Sequence, residues 1–433
     1  MSARSANRTS KARVDCFPDA PADWPRCPFS DVAEVNPLYR VATNGEQPFL
    51  DMAALREDFG GIVGYGSRTF ESSYSRFRKH DTLFAKITPC AENGKVAFVE
   101  NVPAEHGLGS TEFIVLSPRA GFDPYFVYSL ASCPAVHRRA VSRMEGSTGR
   151  LRITEKTFTR WLWVAVPPTH AEQTRIAETL KAADDHIRAL EEQLRKAERV
   201  AEALDQTHFA AGPHDVKFPY EHGTARTIPR GWDSMPLGKF ADVTSGITLN
   251  QDREAADNGV RYLTVINVHR GRIDLTEVRH LEMRGNEAET KRIAAGDIMV
   301  IEGHANSAEI GRAALATKLE EGMSFQNHLF RIRVCDTKQM SPRFLVRALN
   351  SARIRRHWVA TANTSSGLNT INRTALRRLI LPVPKPAEQD VIIERLETAE
   401  AVVTALNAQL LAARRVKQSL LQNLLTGKLR LKP

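Results

Sequence analysis

Cysteine is scarce in this chain and forms no pattern. Five cysteines stand at positions 16, 27, 90, 133 and 335 of 433, with no Cys-x-x-Cys pair and no Cys/His spacing of a zinc site. They read as reduced thiols of a reducing compartment rather than a disulfide framework. No apolar run approaches the ~20 residues that a membrane span needs, and the start lacks a signal-peptide pattern. The expectation is a cytoplasmic protein with no membrane partner. Catalytic signatures are missing as well. No Gly-x-x-x-x-Gly-Lys-Ser/Thr loop is present to cradle ATP. The nearest approach to the Asn/Asp-Pro-Pro-aromatic loop of adenine methylation is "NPLY" at 36–39, with Leu38 where the second proline belongs. "GGIVGYG" at 60–66 lacks the spacing and context of a dinucleotide turn. No PD…(D/E)xK arrangement, His-Glu-x-x-His or Ser/His/Asp set stands out, and Glu112 has no convincing lysine partner. The chain is expected not to be an enzyme by itself, with no catalytic residue, no cofactor-binding residue and no metal ligand.

What is present is positive charge. The formal net charge is +10, divided as +3 over residues 1–170, −3 over 171–207, +8 over 208–386 and +2 over the remainder. A basic surplus in two separated stretches fits a polyanion partner, because each neutralised phosphate releases counterions.

The chain also repeats itself. "PTHAEQTRIAETL" at 168–180 returns as "KPAEQDVIIERL" at 385–396, its Ala-Glu-Gln 216 residues further on. "WPRCPFSDVAEV" (24–35) lines up on "WDSMPLGKFADV" (232–243), and "DTLFAKITPCAENGKVA" (81–97) on "DIMVIEGHANSAEIGRAA" (297–314) with one inserted residue. "EFIVL" (112–116) matches "HLFRI" (328–332), and "STGRLRITEKTFTRWLWVAVP" (147–167) matches "SSGLNTINRTALRRLILPVP" (365–384). A period this long, with five matches in one order, is a domain duplication rather than a solenoid.

Each copy changes periodicity part-way. Short Val/Ile/Phe runs punctuated by Gly, Asn and Pro predict strands at 82–86, 95–100, 113–116, 297–301 and 329–334, with helices over 124–139 and 342–356. A long helix then follows. Ile176, Leu180, Ala183, Ile187, Leu190 and Leu194 step by alternating four and three, continuing through Ala197, Ala201 and Leu204. Ile392, Leu396, Ala399, Val403, Leu406 and Leu410 repeat the phase, continuing through Ala413, Val416, Leu420 and Leu424. These are a/d seams, each needing a partner surface. Two seams of matched length in one chain predict that the helices pair antiparallel, since a whole domain lies between them. The prolines ahead of each block an earlier start. A rod of this length measures roughly 55 Å.

These segments together resemble the specificity (S) subunit of type I restriction–modification systems, over nearly the whole chain. "VPPTHAEQTRIAETL" (166–180) is similar to that family's central conserved region, and "LPVPKPAEQDVIIERL" (381–396) with "LLQNLLTGKLRL" (420–431) to its distal one. "FAKITPCAENGKVA", "GSTEFIVL", "IPRGWDSMPLGKFADV", "IEGHANSAEIGRAA" and "SFQNHLFRIRV" resemble blocks of its target-recognition domains. The resemblance implies an α+β fold: two similar mixed α/β target-recognition domains joined by two long antiparallel helices as a coiled-coil stalk. The expected layout is a disordered basic N-terminus at 1–20, recognition domain 1 at 21–167, the central helix at 168–209 and a linker at 210–230. Recognition domain 2 follows at 231–384, the C-terminal helix at 385–427 and a tail at 428–433. Each domain would read half of a bipartite, asymmetric site in double-stranded DNA. The helices would set the spacing and bind methyltransferase (M) subunits, two of them, which restriction (R) subunits join. S-adenosylmethionine, ATP and magnesium would belong to those partners. A lone DNA methyltransferase or nuclease, and a coiled-coil adaptor without DNA function, are the alternatives.

Candidate DNA-reading residues come from polar loop segments. In the first domain Arg68 and Lys86 offer donors to guanine or phosphate, Asn93 suits adenine, Glu92 suits the cytosine amine, and Tyr65 can pack on sugar or base. Ser67, Thr88 and Lys95 share those segments, and Thr148 and Arg150 lie in "GSTGRLR". In the second domain the candidates are Glu302, His304, Asn306, Ser307 and Arg312, then Asn327 and His328, with Thr364 and Ser366 in "TANTSSGLN". Gly94 and Gly311 read as turn residues.

Overall fold

The computed structural model describes residues 13–147, 149–209, 231–250, 253, 259–361 and 370–431, with the backbone only of 216–217, 227–228, 363–365 and 368–369. Most of the expected linker at 210–230 lies outside the described residues, apart from Val216–Lys217, which pairs with Thr227–Ile228. Residues 1–12 of the expected disordered N-terminus lie outside them too. Residues 13–20 are ordered, contrary to expectation. Val14–Asp15 pairs parallel with Leu162–Ala165, and Cys16 and Phe17 are buried in the core. Contacts divide the chain into two compact units, Met1–Glu192 with Ala408–Pro433, and Gln193–Asn407.

The first unit is built on an antiparallel sheet ordered Ala33–Val35, Phe113–Pro118, Thr82–Ala85, Val96–Phe98. The second unit repeats it as Ala241–Ser245, Leu329–Val334, Ile298–Ile301, Ala313–Leu315. The repetition extends to register. Phe113 pairs with Ala85 and Ile114 with Phe84, while Leu329 pairs with Ile301 and Phe330 with Val300. The second strand of each central pair is buried at all four positions, which is why it reads as an unbroken apolar run instead of alternating. A second sheet also recurs, with four strands in the first unit and three in the second. Phe49 and Leu50 run parallel to Leu108 and Gly109, and Tyr262 and Leu263 run parallel to Ser324 and Phe325.

Helices cover one face of each central sheet. The expected helix over 124–139 is two helices, Pro124–Ser132 and Pro134–Val141. Asp123 caps the first by accepting from Tyr125 N and Phe126 N. Pro134 forces Cys133 out of the helical region and breaks the run. The counterpart breaks at the same place, into Pro342–Asn350 and Ala352–Thr361, with Ser351 extended although no proline follows it.

The long helices are His170–Phe209 and Pro386–Leu425, 40 residues each and so about 60 Å long. In the first unit Ile176, Ala177 and Leu180 share one hydrophobic cluster with Leu421, Leu424 and Leu425. Arg414 meets Glu191, Lys417 meets Asp184, and Arg430 meets Glu172. One number rises as the other falls, so the two segments run antiparallel. In the second unit Leu204 and Phe209 pack with Ile392, Ile393 and Leu396. One seam position differs from expectation. Val416 is 57% exposed, and Lys417 takes the inward place, four residues after Ala413 as the heptad demands.

The repeated Ala-Glu-Gln has a mechanical explanation. Gln173 Nε2 donates to Pro167 O (3.3 Å), and Gln389 Nε2 donates to Pro384 O (3.0 Å). Each buried amide ties the first helical turn to the strand that feeds it. The neighbouring Glu172 holds Arg430 through both oxygens, and Glu388 accepts from Trp232 Nε1 at 2.8 Å. No helix among the described residues is long and apolar enough to cross a membrane.

Candidate nucleic-acid interface

In each unit the loop leaving the central buried strand meets a β-hairpin. In the first unit Lys86 N donates to Glu112 O and Ile153 N donates to Lys86 O. Thr88 donates to Leu151 O through both its N–H (3.1 Å) and its hydroxyl (3.2 Å). That draws in the hairpin Glu145–Ser147/Arg150–Arg152. In the second unit Glu302 N donates to His328 O and Ile371 N donates to Glu302 O. Gly303 and His304 pair there with the strand Leu368–Thr370, whose hairpin partner is Asn363–Ser365.

The side chains on this frame differ. Glu112 accepts a two-pronged bond from Arg152, Oε1 from Nη2 at 2.7 Å and Oε2 from Nε at 3.0 Å. That arginine holds the carboxyl below the usual carboxylate range. Lys86 is half-buried, and its amine makes no hydrogen bond or ion pair among the described residues. It lines a cleft of about 190 Å³ with Ser72, Ser73, Arg76 and Thr111. Arg150 is exposed beside it in the hairpin. In the second unit His328 Nδ1 lies 3.2 Å from a Glu302 carboxylate oxygen, with the imidazole largely open to solvent. His304 accepts from Asn306 N, and Asn306 caps the short turn Ser307–Glu309 by accepting from Ala308 N.

The remaining candidates are dispersed. Ser67 and Arg68 lie on the exposed strand Gly66–Thr69, Ser67 donating to Glu46 and Arg68 covering the Phe49 ring at 4.9 Å. Asn93 donates to Glu57, and Glu92 is exposed on the same turn. Asn327 is half-buried, and its N–H donates to Ile247 O. Three candidates are occupied inside the fold. Lys95 Nζ donates to Met52 O at 2.9 Å. The Arg312 side chain is 11% exposed and donates to Val265 O. Tyr65 donates its hydroxyl to Asn101 O, and burial pushes that hydroxyl up to about 12. Thr148, Ser366 and the Thr364 side chain lie outside the described residues.

Gly94 and Gly311 both take left-handed φ, +69° and +67°. Asn36 of "NPLY" uses its carboxamide within the fold, accepting from Val115 N and donating to Glu155. Sequence reasoning missed the Glu112–Arg152 pair and the cleft beside Lys86, because both join residues distant in the chain. The one local signal was Arg152, two places after a chosen arginine.

Comparison with known proteins bears on this arrangement. Residues 229–413 match the Type I restriction modification DNA specificity domain. The type I restriction enzyme StySPI specificity subunit of Salmonella potsdam is 25% identical over 440 residues, spanning 94% of this chain and 90% of that one. The chain is thus similar to type I restriction–modification specificity subunits over nearly its whole length.

The EcoEI specificity subunit of Escherichia coli is 29% identical over 169 residues, a match that spans only 28% of that relative's length. In the EcoAI specificity subunit, 28% identical over 146 residues, the match spans 25% of the relative. Solved structures share the fold of this chain. The HsdS subunit from Thermoanaerobacter tengcongensis covers 95% of it at TM-score 0.51 and 19% identity, with 98% of that chain matched. A chain from a structure of the type I R-M system in assembly and conformational transition covers 95% at TM-score 0.57 and 18% identity, with 99% of that chain matched.

Proposed function

We propose that this chain is the specificity subunit, the non-catalytic DNA-reading component, of a type I restriction–modification complex. Each recognition domain reads one half of a bipartite, asymmetric target. The paired long helices set the spacer between half-sites and dock methyltransferase subunits for adenine methylation. With restriction subunits added, the assembly cleaves DNA at the expense of ATP. S-adenosylmethionine, ATP and magnesium act on those partners. One observation carries this reading: two units repeat one backbone frame at equal register while presenting different polar side chains at the same loop. A duplicated reader with altered contacts suits a split, non-palindromic site. The surplus of ten positive charges supports a phosphate-backbone partner.

The test removes one heptad from each long helix, residues 194–200 and 401–407, which keeps both seams in phase. Seven residues span about 10 Å, or about 3 base pairs at 3.4 Å each. Methylation-aware sequencing of cells carrying the deletion should show the same half-sites with a spacer shorter by about 3 base pairs. Unchanged spacing, or altered half-site sequences, overturns the division of labour between domains and helices.

A further inference from the structure

The two units repeat one strand order and register and differ in charge at one place. Lys86 and Glu302 make matching hydrogen bonds. Each N–H donates to the residue just before the neighbouring central strand, Glu112 O or His328 O at 2.9 Å, and each carbonyl accepts from Ile153 N or Ile371 N. The side chains there are a cation in the first unit and a carboxylate in the second. The facing position changes from a carboxylate, Glu112, in the first unit to an imidazole, His328, in the second. The hairpin position opposite changes from Arg152 to Thr370. In the first unit the carboxylate is hydrogen-bonded by Arg152, and the Lys86 amine adds to the positive field on it without a hydrogen bond of its own among the described residues. In the second, among the described residues, the carboxylate of Glu302 is bonded by the exposed His328.

We propose that 86 and 302 are equivalent base-discriminating positions, one for each half-site, a claim that rests on the DNA-reading function above. An ammonium group only donates, so Lys86 selects a base edge rich in acceptors, which in the major groove is guanine O6 and N7. A carboxylate only accepts, so Glu302 selects a base with an exocyclic amine, cytosine N4 or adenine N6. His328 is a positioning residue that holds the Glu302 carboxylate in its rotamer. The unit-to-unit inversion therefore makes the two half-sites chemically different at the corresponding place, and the asymmetry of the target follows from it.

The experiment expresses the full chain with its own methyltransferase subunits and sequences the methylated genome for wild type, Lys86→Ala, Glu302→Gln and His328→Ala. Lys86→Ala should relax a single guanine in one half-site and leave the other half-site intact. Glu302→Gln and His328→Ala should alter one shared position in the other half-site. The base lost there, cytosine or adenine, distinguishes the two amines. Should a variant abolish methylation, the purified complex is titrated with duplexes carrying all four bases at each motif position. Wild-type preference of roughly 5- to 150-fold collapsing at one position then supports the assignment. Uniformly weakened binding with every preference retained shows phosphate contacts and overturns it, as do changes in both half-sites from one substitution. A wild-type complex that methylates no split motif defeats the underlying DNA-reading function, not this assignment alone.

Discussion

Lys417 stands where a coiled-coil seam calls for an apolar residue, and its removal is the sharpest test of how the first unit holds its helices. Its amine pairs with Asp184 at 2.5 Å, with both side chains only 15% exposed. The Tyr125 hydroxyl donates to the same carboxylate at 2.7 Å, and burial drives that hydroxyl far above its ordinary range. Replacing Lys417 by Met keeps the apolar stem in the seam and strands Asp184 with one neutral donor. Breaking a fully buried pair costs about 3–5 kcal/mol. The residual exposure here admits water, so the expected loss is about 2–4 kcal/mol. Removing both charges, as Asp184→Leu with Lys417→Met, should recover most of that loss and leave about 1 kcal/mol for the orphaned tyrosine hydroxyl. Urea unfolding of the full chain, followed by helix circular dichroism, should show the single variant's transition moved down by about 1 M. A single variant as stable as wild type, or a double variant as weak as the single, would refute the claim that a buried charge is being compensated.

Two further outcomes follow from buried positions just outside the central strands. Burial raises the Asp81 carboxyl to about 6, against about 3.9 in an unfolded chain. The folded state therefore keeps its proton between those values while the unfolded state releases it. Stability gained from this group rises as pH falls from about 6 to about 4, by up to about 3 kcal/mol. Asp81→Asn should abolish that slope, and a wild-type-minus-variant stability difference that is flat with pH counts against it. At Gly311 the φ is +67°, and a Cβ would lie 2.6 Å from the buried Trp358 ring. Gly311→Ala should cost about 2–4 kcal/mol in thermal or urea unfolding, from left-handed strain plus overpacking. Gly271→Ala, at φ +80° with open space around it, should cost about 1 kcal/mol. Equal losses at the two glycines would remove the packing half of that account.

Local pattern by itself determined a good deal of this protein. Heptad spacing marked both long helices and the prolines ahead of them marked their starts, whereas the break at Pro134 fell inside a helix expected to run over 124–139. The internal repeat revealed two related folds, because framework residues keep their order while loops drift. These signals are legible since periodicity, proline sterics and repetition act within a few residues of chain. Ser351 breaks its helix with no proline to announce it, and residues 14–17 gain their structure from a strand almost 150 positions away. Val416 and Lys417 illustrate the same limit on one turn, where hydrophobicity favoured the valine and helix phase with Asp184 drew the lysine inward. Tertiary structure also decided which polar residues stay open to a ligand. Lys95 and Arg312 are cations like Lys86, yet the carbonyls of Met52 and Val265 accept from them, whereas the Lys86 amine makes no hydrogen bond among the described residues. Charge belongs to the residue type; its availability depends on which distant backbone groups need a donor, and only folding brings those within reach.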